Sequence, residues 1–203
     1  MRSNGTAKAG RPYDVASVLA IAVDTFNTYG YEATSMGVLA EKLGTSKSAV
    51  YYHVSGKEEL LRLALDNALG GLEGILEDPR ASSGPADARL EFVLREAVTV
   101  LTARLPFVTL LLRVRGNTEV ERQAIERRRR FDHTVAELVD QARAEGTIRR
   151  DVDSGTTTRL LFGMINSIVE WYRPHGPVSA DKLADDVVAV AFDGIRDLRG
   201  HVR

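Results

Sequence analysis

The chain has 203 residues, a formal net charge of −1, 44% hydrophobic residues and no cysteine. This length and apolar content suffice for one or two domains with a sizeable core. The lack of cysteine excludes disulfides and thiolate zinc sites, and it suits a cytoplasmic protein. There is no run of about 18 apolar residues and no apolar segment behind the basic N-terminus, so we expect neither a membrane span nor a secretory signal.

The first predicted element is a flexible arm over residues 1–12, which has three basic side chains and no acidic one. Such an arm either lies on DNA phosphates or in a minor groove, or it is a terminus without a partner. Behind it, apolar residues recur at helical spacing from Val15 to Phe26. This spacing predicts a helix that Asp14 caps and Gly30 ends. The same reasoning predicts further helices over residues 35–44, 46–54 and 57–77.

The most specific local pattern is a short helix that stops at Gly44 and is followed at once by another. Glycine adopts the left-handed conformation that ends a helix in a sharp turn. Thr45 or Ser46 then caps the next helix, which directs Val50 toward a core. A short helix with a polar, aromatic and basic outer face fits a DNA major groove. The outward side chains here are Lys47, Ser48, Tyr51 and His53.

This segment resembles the DNA-binding domain of the TetR/AcrR family of bacterial transcriptional regulators. The matching pieces, in order, are Tyr29–Ser35, Leu39–Gly44, Ser46–Val54 and Lys57–Leu61. The resemblance implies a helix-turn-helix DNA-binding domain over residues 13–56. It also implies a helical ligand-binding and dimerisation domain over residues 57–203.

The rest of the chain also has a helical pattern. Residues 78–85 predict a loop, because they are rich in proline, glycine and serine. Further helices are predicted over residues 86–104, 106–114, 118–145, 155–173 and 180–199. Apolar and polar residues do not alternate for long enough to indicate a strand, so we predict an all-α fold of about nine helices.

Nine residues are candidates for contact with DNA. Lys47 and Ser48 begin the third helix, where helix-turn-helix proteins meet base edges, and Lys47 can donate to guanine. The alternative for both is a solvated polar cap. Lys57 begins the fourth helix, where its charge opposes the helix dipole, and a bound phosphate would explain that choice. The nine candidates are Thr34, Ser35, Ser46, Lys47, Ser48, Tyr51, Tyr52, His53 and Lys57.

Several of these candidates have a structural alternative. The resemblance implies that Tyr51 contacts phosphate, whereas Tyr52 either packs on the first helix or touches a thymine methyl group. His53 either binds phosphate or a base, or stabilises the carbonyl groups at the end of its helix. Thr34 and Ser35 both stand at the start of the second helix, and capping alone accounts for one of them.

Arginines concentrate in the long predicted helix, with four in succession at residues 127–130. Four successive residues cover all faces of a helix, so some must face the domain or a partner, and arginine binds phosphate well. The alternative is a solvated face paired with Glu119, Glu121 and Glu126. Residues 170–174 and 113–118 resemble, loosely, family members that respond to acyl-coenzyme A thioesters. The ligand candidates are Arg113, Arg127, Arg130, Phe107, Met164 and Trp171.

The last two predicted helices are apolar over broad faces. Such helices need more cover than a thin domain provides, and in the family the corresponding helices form the four-helix bundle of a dimer. The alternative for any single residue is ordinary core within one domain. The predicted interface residues are Leu161, Ile165, Ile168, Val188 and Phe192.

No arrangement in the sequence supports catalysis or metal binding. The four histidines are scattered, and no HExxH, GxSxG or GxGxxG motif is present. We therefore predict a regulator and not an enzyme, without cofactor or metal. It is a cytoplasmic homodimer that binds double-stranded operator DNA with palindromic symmetry.

The predicted regulator is a repressor that a small-molecule effector releases from DNA. The resemblance implies that the effector moves the fourth helix, and it favours an acyl-CoA or aryl-acyl-CoA. The alternative is a regulator of an efflux or resistance gene that responds to a hydrophobic drug or antibiotic. A helical enzyme is the most remote alternative.

Overall fold

The structure, a computed structural model, describes residues 14–195 and has only helices and connecting segments in that range. The predicted all-α fold is confirmed. The predicted arm lies outside the described residues, as does the last predicted helix beyond residue 195. The ten helices are α1 Val15–Tyr29, α2 Met36–Leu43, α3 Lys47–Tyr51, α4 Lys57–Glu77, α5 Pro79–Ser82, α6 Ala86–Ala103, α7 Leu105–Arg113, α8 Glu119–Glu145, α9 Ser154–Trp171 and α10 Ala180–Ile195.

The described chain divides into two compact units, with the division after Leu60. Helix α4 begins at Lys57, so its first turn belongs to the first unit. The assignment of DNA binding to residues 13–56 and of ligand binding and dimerisation to residues 57–203 stays a prediction. No helix among residues 14–195 combines the length and the apolarity needed to span a bilayer.

Helix caps position the first unit. The Asp14 carboxylate accepts the Ser17 N–H at 2.8 Å and begins α1. Gly44 has φ 65°, in the left-handed region, where it ends α2. The Ser46 hydroxyl accepts the Ala49 N–H at 3.2 Å and begins α3. Buried Leu39, Leu43 and Val50 join α2 to α3. These caps were predicted from the sequence and are confirmed.

Helix α6 is the centre of the second unit, because α5, α7, α8, α9 and α10 all contact it. Its residues Leu90, Val93, Leu94 and Val98 have no exposed surface, which is the burial expected of a helix covered on several sides. Helix α8 packs on α6 and α9. The loop before α8 is closed by the buried carboxylate of Glu121, which accepts the backbone N–H groups of residues 115–117.

One ionic contact fastens α8 to α4. Arg127 donates to both carboxylate oxygens of Glu73 at 2.8 and 2.7 Å, and to Asp66 at 2.6 Å. Asp66 and Glu73 are two helical turns apart, so Arg127 spans the segment of α4 that contains Gly70 and Gly71. Glycine has low helix propensity. The contact therefore supports α4 where its own sequence is weakest.

The structure differs from the predicted elements in two places. The predicted loop over residues 78–85 contains the short helix α5, which begins where Asp78 accepts the Arg80 N–H at 2.8 Å. Proline suits the first position of a helix, because its missing N–H needs no partner there. Helix α3 ends at Tyr51, and only single-turn hydrogen bonds continue to Val54. The described residues thus form one helix more than predicted.

We expect Arg127→Gln to lower the free energy of unfolding by about 1 kcal/mol near neutral pH, because a partly exposed ion-pair network contributes modestly. The hydrogen bonds from Arg127 lower the pKa of Glu73. A carboxyl with a lowered folded pKa stabilises the protein above its unfolded pKa and loses that contribution as pH falls. The difference between wild type and variant should therefore shrink below about pH 4. Urea unfolding at neutral and acidic pH measures it.

The matched control is Arg130→Gln, whose partner Glu126 is 71% exposed and lies on the same helix. We expect a smaller loss of stability in this variant. Equal losses in both variants, or a loss from Arg127→Gln that is independent of pH, would contradict the assigned role of Arg127.

Candidate functional site

The start of α3 presents polar side chains to solvent. Lys47 and Ser48 are exposed, and the hydroxyl groups of Ser46 and Ser48 lie 3.0 Å apart. The Lys47 side chain runs past Gly37 of α2, where an added Cβ would lie 2.8 Å from Lys47 Cε and 3.4 Å from Ser35 Oγ. The structure thus brings the predicted residues Ser35 and Lys47 to one place.

The two tyrosines behind this point are also exposed. Tyr51 is 51% exposed and Tyr52 is 87% exposed, so Tyr52 does not pack on the first helix as one alternative had it. The Tyr52 ring meets the half-buried His53 ring edge to face, with centroids 5.3 Å apart. A ring this exposed is free to meet a partner through its face and its hydroxyl group.

The two candidates at the start of α2, Thr34 and Ser35, have partners inside the unit. The Thr34 hydroxyl donates to the Gly30 carbonyl at 2.8 Å, and Thr34 is 2% exposed. Ser35, not Thr34, caps α2 by accepting the Val38 N–H at 3.3 Å. Thr34 therefore belongs to the interior of this unit, and we no longer count it among the candidate DNA contacts.

Lys57 is held against Tyr31. Its Nζ donates to the Tyr31 carbonyl at 2.9 Å and lies 4.2 Å from the centroid of the Tyr31 ring. An ammonium group has three N–H donors, so two remain for another acceptor. The contact fixes the position of the positive charge at the start of α4.

The second unit contains an apolar cavity of about 510 Å³. Side chains from α4, α6, α7, α8 and α9 line it, among them Leu72, Leu101, Leu111, Phe131 and Phe162. Its polar lining includes Arg128, Asp132, Arg159, Asn166 and Glu170. Such a cavity has the size and the mostly apolar lining of a small-molecule site.

A second cavity of about 470 Å³ adjoins the first and shares Arg128, Asp132, Arg159 and Phe162 with it. Arg129, His133 and Thr158 add to its lining. Burial raises the pKa of the Asp132 carboxyl, and the charge of Arg128 acts in the opposite direction. Titratable groups with perturbed pKa values in a cavity are typical of functional sites.

The six predicted ligand residues lie elsewhere, since none of them lines either cavity. Arg127 and Arg130 bond to carboxylates, and Arg113 is exposed. Phe107 and Met164 are half-buried, while Trp171 is 51% exposed.

The role of Arg127 and Arg130 in ligand binding stays a prediction. The cavities are lined instead by Arg128 and Arg129 of the run and by an aromatic pair that was not predicted. Phe131 and Phe162 meet edge to face with centroids 5.6 Å apart. Arg128, Phe131 and Asp132 stand at i, i+3 and i+4, the spacing of one helical face, and that spacing was the available signal.

The five predicted interface residues are buried within a single chain, with exposures from 1% for Ile168 to 7% for Val188. Leu161, Ile165 and Phe192 lie between these values. Their burial agrees with the alternative, ordinary core of one domain. The large apolar side chains that α9 and α10 leave exposed are Leu160, Trp171 and Val190, which are 67%, 51% and 64% exposed.

Residues 18–64 match the family described as bacterial regulatory proteins of the tetR family, and residues 83–195 match the tetracyclin repressor-like C-terminal domain. The chain belongs to the TetR family of bacterial transcriptional regulators. The predicted family is thereby confirmed, and so is the prediction of a regulator rather than an enzyme.

Solved structures and characterised proteins similar to this TetR-family regulator cover almost its whole length. The crystal structure of SCO3833, a TetR-family member from Streptomyces coelicolor A3, is 52% identical with a TM-score of 0.85, and covers 95% of this chain and 94% of its own. The HTH-type transcriptional repressor KstR2 of Rhodococcus jostii (strain RHA1) is 25% identical over 94% of this chain and 93% of its own.

A further solved structure is that of AibR in complex with isovaleryl coenzyme A and operator DNA. It is 24% identical to this TetR-family regulator, with a TM-score of 0.74, and covers 88% of this chain and 97% of its own. At this identity the similarity shows a shared fold.

Proposed function

We propose that this TetR-family protein is a transcriptional repressor that binds double-stranded operator DNA as a homodimer. In this proposal, a coenzyme A thioester enters the second unit and releases the DNA. As a regulator of bacterial genes, it acts in the cytoplasm. The observation that carries the effector assignment is the apolar cavity that adjoins an arginine-lined one.

DNA binding is assigned to the exposed side chains at α3 and around it. Lys47 and Ser48 meet base edges, since residues at the start of a recognition helix reach furthest into the major groove. Tyr51, Tyr52 and His53 bind phosphate or thymine methyl groups at the other end of α3. Ser35, Ser46 and Lys57 contact the DNA backbone, Lys57 with the two N–H donors that Tyr31 leaves available.

Dimerisation is assigned to the exposed faces of α9 and α10, because large apolar side chains on a helix surface indicate an interface. Leu160 and Trp171 of α9 and Val190 of α10 form this contact with a second copy. A symmetric dimer presents two recognition helices to two half-sites, which explains a palindromic operator.

The effector is assigned from the chemistry of the cavities. Leucine and phenylalanine side chains around the first cavity suit an acyl or aryl-acyl group. The arginines at its boundary suit phosphates. AibR was solved in complex with isovaleryl coenzyme A, a compound that has both an acyl group and phosphates, and with operator DNA. A hydrophobic drug in the first cavity, with control of an efflux gene, is the second candidate.

In this proposal, ligand binding in the first cavity affects DNA binding through α4. Leu72 of α4 lines the first cavity, and Arg127 fastens the same helix to α8, beside the cavity residue Arg128. A ligand that displaces either helix changes the position of the other. If the ligand weakens DNA binding, DNA must weaken ligand binding by the same factor.

Selection of bound duplexes from a random DNA library should yield an inverted repeat. Against that duplex, we expect Lys47→Ala to cost about 1–3 kcal/mol of binding and to relax the preference at one base of each half-site. Lys182→Ala, which removes the same charge from α10, should leave both affinity and preference unchanged. Failure to select any repeat, or an unchanged preference in Lys47→Ala, would contradict the proposed DNA contacts.

Leu160→Asp and Val190→Asp should convert the dimer into a monomer in light-scattering measurements, because each places a charge in an apolar contact. Both side chains are exposed in a single chain, so each monomeric variant should keep the helical circular dichroism of the wild type. Ala88→Asp, at an exposed alanine of α6, is the matched control and should remain dimeric. A monomeric wild-type protein at micromolar concentration would refute the dimer.

Fluorescence anisotropy of the selected duplex measures its release. We expect octanoyl-CoA or phenylacetyl-CoA to release the DNA, whereas octanoate, phenylacetate and coenzyme A alone should release much less. Leu111→Trp, which fills the first cavity, should weaken the response to the thioesters. Release by a neutral hydrophobic antibiotic, and by neither thioester, would overturn the thioester proposal in favour of the efflux alternative.

A further inference from the structure

The four successive arginines divide into two pairs with different surroundings. Arg127 and Arg130 bond to carboxylates and lie outside both cavities. Arg128 and Arg129 line the second cavity and form no hydrogen bond or ion pair within residues 14–195. Arg159 of α9 lines the opposite wall of the cavity, and it too forms no such bond in the described part of the chain. Three unpaired guanidinium groups thus line one cavity.

The two cavities differ in the balance of positively and negatively charged side chains that line them. The first cavity has two arginines, Arg128 and Arg159, against two carboxylates, Asp132 and Glu170. The second has three arginines against the single carboxylate of Asp132, together with His133, which lies 3.5 Å from Glu137. The second cavity is therefore the more positively charged of the two. Arg129 and Arg159 are exposed at its surface, and an anion bound there would be attracted by all three guanidinium groups.

A buried hydroxyl group in this cavity also lacks a partner. Thr158 is 3% exposed, and its Oγ1 forms no hydrogen bond among the described residues. Its neighbour Thr157 shows the usual arrangement in a helix, in which the hydroxyl donates to the carbonyl four residues earlier, here Asp153 at 3.0 Å. A buried hydroxyl group without a partner is costly, so its presence beside three arginines indicates a ligand that accepts its hydrogen bond.

We infer that the second cavity is a phosphate-binding subsite, formed by Arg128, Arg129, Arg159 and the Thr158 hydroxyl, and that it binds the phosphorylated nucleotide part of the effector. This rests on the proposed function in taking the effector to be a coenzyme A thioester. The acyl group lies in the first cavity, and the chain between the two parts passes the shared residue Phe162. Guanidinium groups offer phosphate paired, charge-assisted hydrogen bonds, which are stronger than neutral ones.

The subsite binds the nucleotide part without an acyl group, so coenzyme A itself is the probe. Calorimetry with the full chain should detect coenzyme A but not pantetheine, which has no phosphate. Arg129→Gln should weaken coenzyme A binding by about tenfold, as expected for one charge-assisted contact. The matched control is Arg130→Gln, which removes the adjacent charge outside the cavity and should change affinity by less than about twofold.

Two further variants separate ligand binding from a structural role. Thr158→Val keeps the shape of the side chain and removes the unpaired hydroxyl, so it should weaken coenzyme A binding without lowering the melting temperature. Asp132→Asn removes the only carboxylate of this cavity and should tighten binding.

The proposed subsite is wrong if coenzyme A does not bind, or if Arg129→Gln and Arg130→Gln have the same affinity for it. This result is distinct from a failure of the proposed effector. Should coenzyme A bind through these arginines while neither thioester releases DNA, the subsite stands and the thioester effector does not. Should a thioester release DNA from wild type and Arg129→Gln with equal potency, the effector stands and the subsite falls.

Discussion

Successive residues of a helix point about 100° apart, and this constraint decides what the arginine run of α8 can do. Four adjacent guanidinium groups cannot share one partner. Arg127 points to α4 and bonds to Asp66 and Glu73, whereas Arg130 points to Glu126 on its own helix. Arg128 lines both cavities, and Arg129 lines the second one. One short stretch of α8 therefore both fastens α4 and lines the two cavities.

The segment of α4 near the Arg127 contact contains three glycines, Gly70, Gly71 and Gly74. Gly70 and Gly74 have open space where a Cβ would stand, so packing does not require glycine at either position. Gly71 differs, because an added Cβ would lie 2.7 Å from Val100 Cγ1 of α6. Glycines lower the stability of a helix. By bonding to Asp66 and Glu73, Arg127 spans Gly70 and Gly71. The Arg127 contact therefore joins α8 to the glycine-containing segment of α4.

Much of the fold could be predicted from the sequence, because capping residues and apolar spacing are local signals. Asp14 and Ser46 begin helices as expected, and Gly44 ends one. The helix-turn-helix could be predicted for the same reason. The short helix α5 was missed, since proline and serine favour turns as strongly as helix starts.

The candidate site could be predicted less well, because it depends on contacts between distant segments. Arginine content pointed to α8, but only the positions of Asp66 and Glu73 show that Arg127 is already bonded. Burial of Ile165 and Val188 within one chain likewise depends on how α9 and α10 pack. The sequence alone does not distinguish apolar residues of a domain core from those of an interface. Thr34 and Ser35 were equal candidates for the cap until their hydrogen bonds distinguished them.

In the proposed function, α8 connects the occupancy of the cavities to α4 through Arg127. The most direct test is the ratio of operator affinities without and with a saturating thioester, octanoyl-CoA or phenylacetyl-CoA, in wild type and Arg127→Gln. We expect that the variant still binds the thioester but that this ratio falls toward one, because α4 is no longer fastened to α8. An unchanged ratio in a variant that binds both DNA and thioester normally would contradict it.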